Sequence, residues 1–182
     1  MSSILKFIKK GIVSFGRSLN IQQEEFIMNI GIILYSETGN TYSVCQKLKE
    51  KLVTSGHSVN IERLKVVGKI HPSTKDVKFE TLPNIEPYDA LVFGSPVQAF
   101  SLSSAMTAYL SQLKPLKDKK VAFLVTQYFP FSWMGGNRSI GQMKKIGESK
   151  GATICGTAVV NWSKPSREKQ ITEIVEKLSK LF

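Results

Sequence analysis

The stretch that decides the fold is Ile30-Gly31-Ile32-Ile33-Leu34-Tyr35-Ser36-Glu37-Thr38-Gly39-Asn40-Thr41. Its apolar first half reads as a buried strand. After Thr41, Val44, Leu48 and Leu52 recur at helical spacing on one face. Between the two runs lies a short polar loop with Ser36 and Thr38 before a flexible Gly39-Asn40 pair and Thr41 after it. Glycine and asparagine tolerate the backbone angles of a tight wrap. A loop of this kind leaves backbone N–H groups pointing outward at a helix N-terminus, where partial positive charge favours an anion. The plainer reading is a strand-to-helix turn with an ordinary Thr cap. No Gly-x-x-x-x-Gly-Lys supports a nucleoside-triphosphate loop, and no Gly-x-Gly-x-x-Gly follows this strand to support a dinucleotide site.

Outward from this loop, the chain alternates strand and helix. A helix is expected over 41–54, stopped at Gly56. Strands are expected at Ser58–Arg63, Ala90–Gly94, Val121–Thr126 and Ala152–Val160. Between them Ser101 is expected to cap a helix burying Met106, Tyr109, Leu110 and Leu113. A third helix spans 137–150, capped by Asn137 and ended by Gly151. The last helix begins near Ser166 and buries Ile171, Ile174, Val175, Leu178 and Leu181. Residues 64–88, with Pro72, Pro83 and Pro87, hold one poor helix or none. Continuous apolar strands separated by helices mean an α/β fold, a parallel sheet covered on both faces.

Composition bounds the function classes. The chain has 182 residues and a hydrophobic content of 42%, enough for one domain with a core. Its formal net charge of +11 favours acidic partners or anionic surfaces. The lysines are scattered and no nucleic-acid-binding motif accompanies them, so no nucleic-acid partner is expected. The two cysteines, Cys45 and Cys155, lie in unrelated segments, which points to small core residues in a reducing, cytoplasmic setting. His57 and His71 lack metal-ligand spacing and are expected in surface connections; no metal is expected. No apolar run reaches the ~18 residues of a membrane span.

Residues 1–27 stand apart from the domain, expected over 28–182. Ile4, Leu5, Ile8, Ile12, Phe15 and Leu19 alternate with Lys6, Lys9, Lys10 and Arg17. Three readings stay open: a basic amphipathic helix docked on the body or on a second subunit, a membrane-surface contact, or a true start at Met28. The oligomeric state is left open with them.

The order Ser36-Glu37-Thr38-Gly39-Asn40-Thr41 after a buried first strand resembles the FMN-phosphate loop of the flavodoxin family, and the likeness extends over residues 29–182. It implies a short-chain, three-layer doubly wound fold with a five-stranded parallel sheet in the order 2-1-3-4-5. The cofactor would be FMN, held by three loops at the carboxyl ends of strands. Ser36, Thr38, Gly39, Asn40 and Thr41 would bind the phosphate, with Glu37 pointing outward. Ser95, Pro96, Val97, Gln98, Ala99 and Phe100 would lie along the flavin ring, Phe100 either stacking on it or plugging the core. Thr126, Gln127, Tyr128 and Phe129 would complete the site, with Tyr128 or Phe129 over the outer face. Phe131 and Trp133 would line a substrate or partner site. The family's frequent Trp-Gly pair, whose glycine permits a peptide flip toward the reduced ring, is replaced by Val97-Gln98.

The expected function is electron transfer by FMN, with no catalytic residue of the protein's own and with acidic redox partner proteins. One alternative is an NAD(P)H-dependent quinone or nitro reductase acting on small aromatic substrates. Another is a cofactor-free binding module. The basic charge implies a less negative potential than that of acidic flavodoxins.

Overall fold

The computed structural model describes residues 27–182. The helix considered for residues 1–27 lies outside them but for Ile27, which is exposed. In chain order the elements are β1 (Asn29–Leu34), α1 (Asn40–Thr54), β2 (Ser58–Arg63), β3 (Lys65–Val66), β4 (Phe79–Thr81), β5 (Ala90–Gln98), β6 (Ser101–Leu102), α2 (Ser104–Gln112), β7 (Lys120–Gln127), α3 (Gly136–Ser149), β8 (Thr153–Asn161) and α4 (Arg167–Ser179).

The main sheet runs β2-β1-β5-β7-β8, all parallel, which is the expected 2-1-3-4-5 order of the long strands. The order in which strands are added reverses between β1 and β5, so their carboxyl ends open a crevice. Both faces of the sheet are apolar because alternate residues point opposite ways. Ile30, Ile32, Leu34, Val92 and Leu124 pack with Val44, Leu48 and Leu52 of α1 and Ile171 and Val175 of α4. Ile33, Leu91, Phe93, Val121 and Phe123 pack with Met106, Tyr109 and Leu110 of α2 and Ile140 and Met143 of α3. Cys45 belongs to the first layer, and burial pushes its thiol up to about 12. Cys155 is half-buried and donates to the Val121 carbonyl at 3.3 Å. Among the described residues no helix is long and apolar enough to cross a membrane.

Several local expectations are corrected. Ser101 is not a helix cap: it lies in β6, and Ser103 caps α2, its Oγ accepting from the Met106 N–H at 3.2 Å. Asn137 lies inside α3; Gly135, at φ 110°, occupies the cap position without a side-chain bond. Residues 64–88, expected to hold one poor helix or none, form none. β3 and β4 make a small antiparallel ladder, and Tyr109 donates to the Pro83 carbonyl at 2.9 Å, holding the following loop against α2. Ile174 and Leu181 are half-buried, since α4 covers an edge of the sheet.

The approach of α1 to the sheet depends on Gly94. A Cβ there would lie 2.9 Å from Cys45 Sγ and 3.2 Å from Thr41 Cγ2. Gly94→Ala is expected to cost about 1–3 kcal/mol through overpacking. The measurement is the denaturant midpoint, falling at an unchanged slope; an unmoved midpoint would show that α1 can give way.

Candidate functional site

The loop after β1 folds as its residues dictate. Gly39 takes the left-handed conformation, φ 86°, and starts α1 without a side-chain cap or an acid in the first turn. Ser36, nearly buried, accepts from the Tyr42 N–H at 3.3 Å. The Tyr35 hydroxyl donates to Glu37 at 2.7 Å, so this exposed carboxylate turns back toward the strand. Burial first, then this bond, holds the Tyr35 phenol above its ordinary range. Within the described residues, the backbone N–H groups of Thr38, Gly39, Asn40 and Thr41 donate to no protein acceptor. Four consecutive donors without a protein acceptor thus lie at the start of a helix.

Thr41 is fully buried, and its hydroxyl meets that of Thr126 at 2.8 Å. This bond ties the first loop to the end of β7, beneath the crevice. Thr41 therefore leaves its N–H without an acceptor while its hydroxyl is engaged below.

The second segment departs from the expected open loop. β5 continues through Gln98 and hairpins onto β6. The two turn residues, Ala99 and Phe100, take positive φ, 46° and 59°. That turn type ordinarily carries Asn-Gly, so the backbone here is strained. The turn lifts Phe100 outward, half exposed, which rules out a core plug. Ser95 faces the other way: it is fully buried and bonds Ser103 Oγ at 2.8 Å. Gln98 has a buried Oε1 without a partner.

The third loop, after β7, is held from beneath. Buried Gln127 donates its amide to the carbonyl of Phe131 at 2.6 Å, to that of Phe129 at 3.2 Å and to Asn161 Oδ1 at 2.7 Å. Trp162 N–H donates to the Gln127 carbonyl and Ser163 N–H to that of Tyr128. Gly135 is pressed on the neighbouring turn; a Cβ there would stand 2.8 Å from Phe100 Cα. On this scaffold the aromatics remain outside. Tyr128 and Trp133 are each 72% exposed. Phe129 stacks on Phe100 across the two loops, centroids 5.2 Å apart and planes 12° apart. Phe131 and Trp133 form a second near-parallel pair.

These loops enclose a 250 Å³ cleft lined by Ser36, Glu37, Thr38, Asn40, Thr41, Pro96, Val97, Gln98, Thr126, Gln127 and Tyr128. Of the remaining expected residues, Gly39 shapes its loop, Ala99, Phe100 and Phe129 stand at the rim, and Ser95 turns away. A larger, 570 Å³ cleft lies between residues 72–77 and α2, with Ser101 and Leu102 of β6 in its wall. We place the function at the smaller cleft, because free donors, an unpaired acceptor and strained backbone coincide there. No group of metal-ligating side chains occurs among the described residues. Sequence reasoning missed Arg63, whose Nη2 donates to the Ser36 carbonyl at 3.1 Å, and Asn161 beneath the aromatic loop.

Two stability predictions follow from these contacts. Thr41→Val and Thr126→Val should each cost about 1–3 kcal/mol by stranding a buried hydroxyl. The double variant should lose less than the sum of the two, read in a double-mutant cycle; additive losses would contradict the coupling. Ala99→Gly should stabilise by about 0.5–1 kcal/mol by relieving the positive φ, seen as a higher denaturant midpoint.

A family model described as a flavodoxin domain matches residues 32–130, more than half of the chain. No curated protein sequence matches it. Among solved structures, a Lactobacillus acidophilus flavoprotein in complex with FMN is 15% identical, with a TM-score of 0.57 over 79% of this chain and 99% of that one. The two-electron reduced flavodoxin of Megasphaera elsdenii is 22% identical, with a TM-score of 0.60 over 83% and 98%. Oxidised flavodoxin 2 of Bacillus cereus is 16% identical, with a TM-score of 0.61 over 85% and 99%. At these identities the structural likeness is one of fold, and it agrees with the sheet order and with the span of the family model. On that match, the chain belongs to the flavodoxin-domain family.

Proposed function

We propose that this protein binds FMN in the cleft at the carboxyl ends of β1, β5 and β7 and serves as an electron carrier. The observation that carries the reading is the anion loop: four free backbone donors at an uncapped helix start, in a cleft whose opposite side is formed by Pro96, Val97, Gln98 and Tyr128. The residues fit the cofactor. The donors of Thr38 to Thr41, with the Thr38 hydroxyl, suit a phosphate dianion, and each such bond is charge-assisted. The unpaired Gln98 Oε1 is an acceptor for a ring N–H. Phe100 and Phe129 offer apolar faces to a planar ring. When bound, FMN supplies the redox chemistry; the chain positions the ring, limits water around it and sets the local field.

Acidic charge around the cleft is sparse. Glu37 is the one charged side chain among its lining residues, and residues 35–42, 95–103, 127–140 and 161–167, the loops at this end of the sheet with their flanks, hold Arg138, Lys164 and Arg167 and no second acid. Negative charge that would oppose reduction is scarce, so the reduced ring is better tolerated and redox partners should present acidic faces. The exposed Phe131–Trp133 pair favours a second reading, an FMN-dependent reductase of flat quinone or nitroaromatic substrates.

The test begins with adding FMN to the apo protein. Flavin fluorescence should be quenched on binding, and Thr38→Ala should weaken binding by about tenfold. Absence of uptake would remove both redox readings and leave a cofactor-free binding module. Redox titration of the loaded protein should give a less negative potential than acidic flavodoxins show; an equally low value would refute the charge argument. Rapid NADPH oxidation with a quinone and no added reductase would decide for the enzyme over the carrier.

A further inference from the structure

Arg63 is the last residue of β2 and pairs in register with Leu34, the last residue of β1. The parallel arrangement thus brings its side chain to the base of the anion loop. Its Nη2 donates to the Ser36 carbonyl at 3.1 Å, and its guanidinium lies over the Tyr42 ring, 5.1 Å from the centroid. Ser36 opens the loop and Tyr42 belongs to the first turn of α1. These two are also joined directly, Tyr42 N–H to Ser36 Oγ. All four free donors lie between the points that Arg63 bridges. No carboxylate pairs with Arg63 among the described residues, and the nearby acid of the loop, Glu37, is bonded to Tyr35.

We propose that Arg63 is a positioning and selectivity residue of the phosphate loop, favouring a phosphorylated flavin over its uncharged parent; this rests on the FMN reading above. Two physical effects combine in one side chain. One guanidinium N–H holds the loop carbonyl while the planar face packs on tyrosine, a combination a lysine cannot copy. The unpaired positive charge also raises the potential at the donors, and only a charged ligand responds to it. Arg63 is solvent-exposed, so the charge effect is screened by salt, whereas the positioning effect is not.

The experiment titrates the full chain with FMN and with riboflavin, followed by flavin fluorescence, at low and high salt. Wild type, Arg63→Ala and Arg63→Lys are compared, with circular dichroism confirming an unchanged fold. Arg63→Ala is expected to weaken FMN by about tenfold at low salt and leave riboflavin within about twofold. Arg63→Lys should recover part of the FMN affinity at low salt and lose that advantage near ~1 M salt. Equal weakening of both flavins would overturn the proposal in favour of a plain structural brace, and unchanged FMN binding would overturn it outright. In either case, FMN uptake by wild type would leave the cofactor reading standing. Wild type that binds neither flavin would refute the cofactor reading and, with it, the role of Arg63.

Discussion

The crevice depends on one buried bond, between the hydroxyls of Thr41 and Thr126. It joins the first turn of α1 to the end of β7, and Gly94, on the strand between them, leaves room for Thr41 and Cys45 to approach. α1 thereby descends onto the sheet, and its first N–H groups are set at the floor of the cleft. Buried hydroxyls without partners are costly, so the pair specifies how the first and third loops meet. The placing of the first loop is therefore a property of the sheet's centre as much as of its own residues.

The aromatic side of the crevice is organised by a second polar device. Gln127 is buried beneath the third loop and engages two of its carbonyls, with Asn161 from β8 alongside. A loop with so many exposed aromatics would otherwise collapse onto the core. With its backbone satisfied from below, it keeps Tyr128, Phe131 and Trp133 in solvent. Large exposed apolar groups on a braced backbone mark a contact surface. The strained turn at Ala99 and Phe100 adds the facing ring, and Gly135 lets the two loops touch.

Much of this was legible in the chain. The alternation of apolar runs with helical stripes read correctly because both periods are local. Gly56, Gly151 and Gly39 marked element ends for the same reason. Caps read less well. Ser101 and Ser103 are both plausible at a helix start, and the choice fell to β6, which takes Ser101 into a hairpin that no short-range signal announces. In residues 64–88 the prolines excluded a regular helix, but the β3–β4 ladder pairs residues across a long excursion and left no periodic trace. Arg63 had a signal that went unused: a parallel order with strand 2 beside strand 1 places the last residue of strand 2 next to the first loop.

The sequence by itself determined the layers, the sheet order expected of the family it resembles, and the loop chemistry of Ser36 to Thr41. These follow from hydrophobic period and from the conformational freedom of glycine, which each segment carries alone. Tertiary structure decided what the side chains at those positions do. Ser95 turns to Ser103, and Gln98 keeps a bare acceptor at the cleft. Thr41 spends its hydroxyl on Thr126, a residue 85 positions away. The reason is physical: a polar group's partner is chosen by which strands lie side by side, and that choice belongs to the whole sheet rather than to any window of the chain.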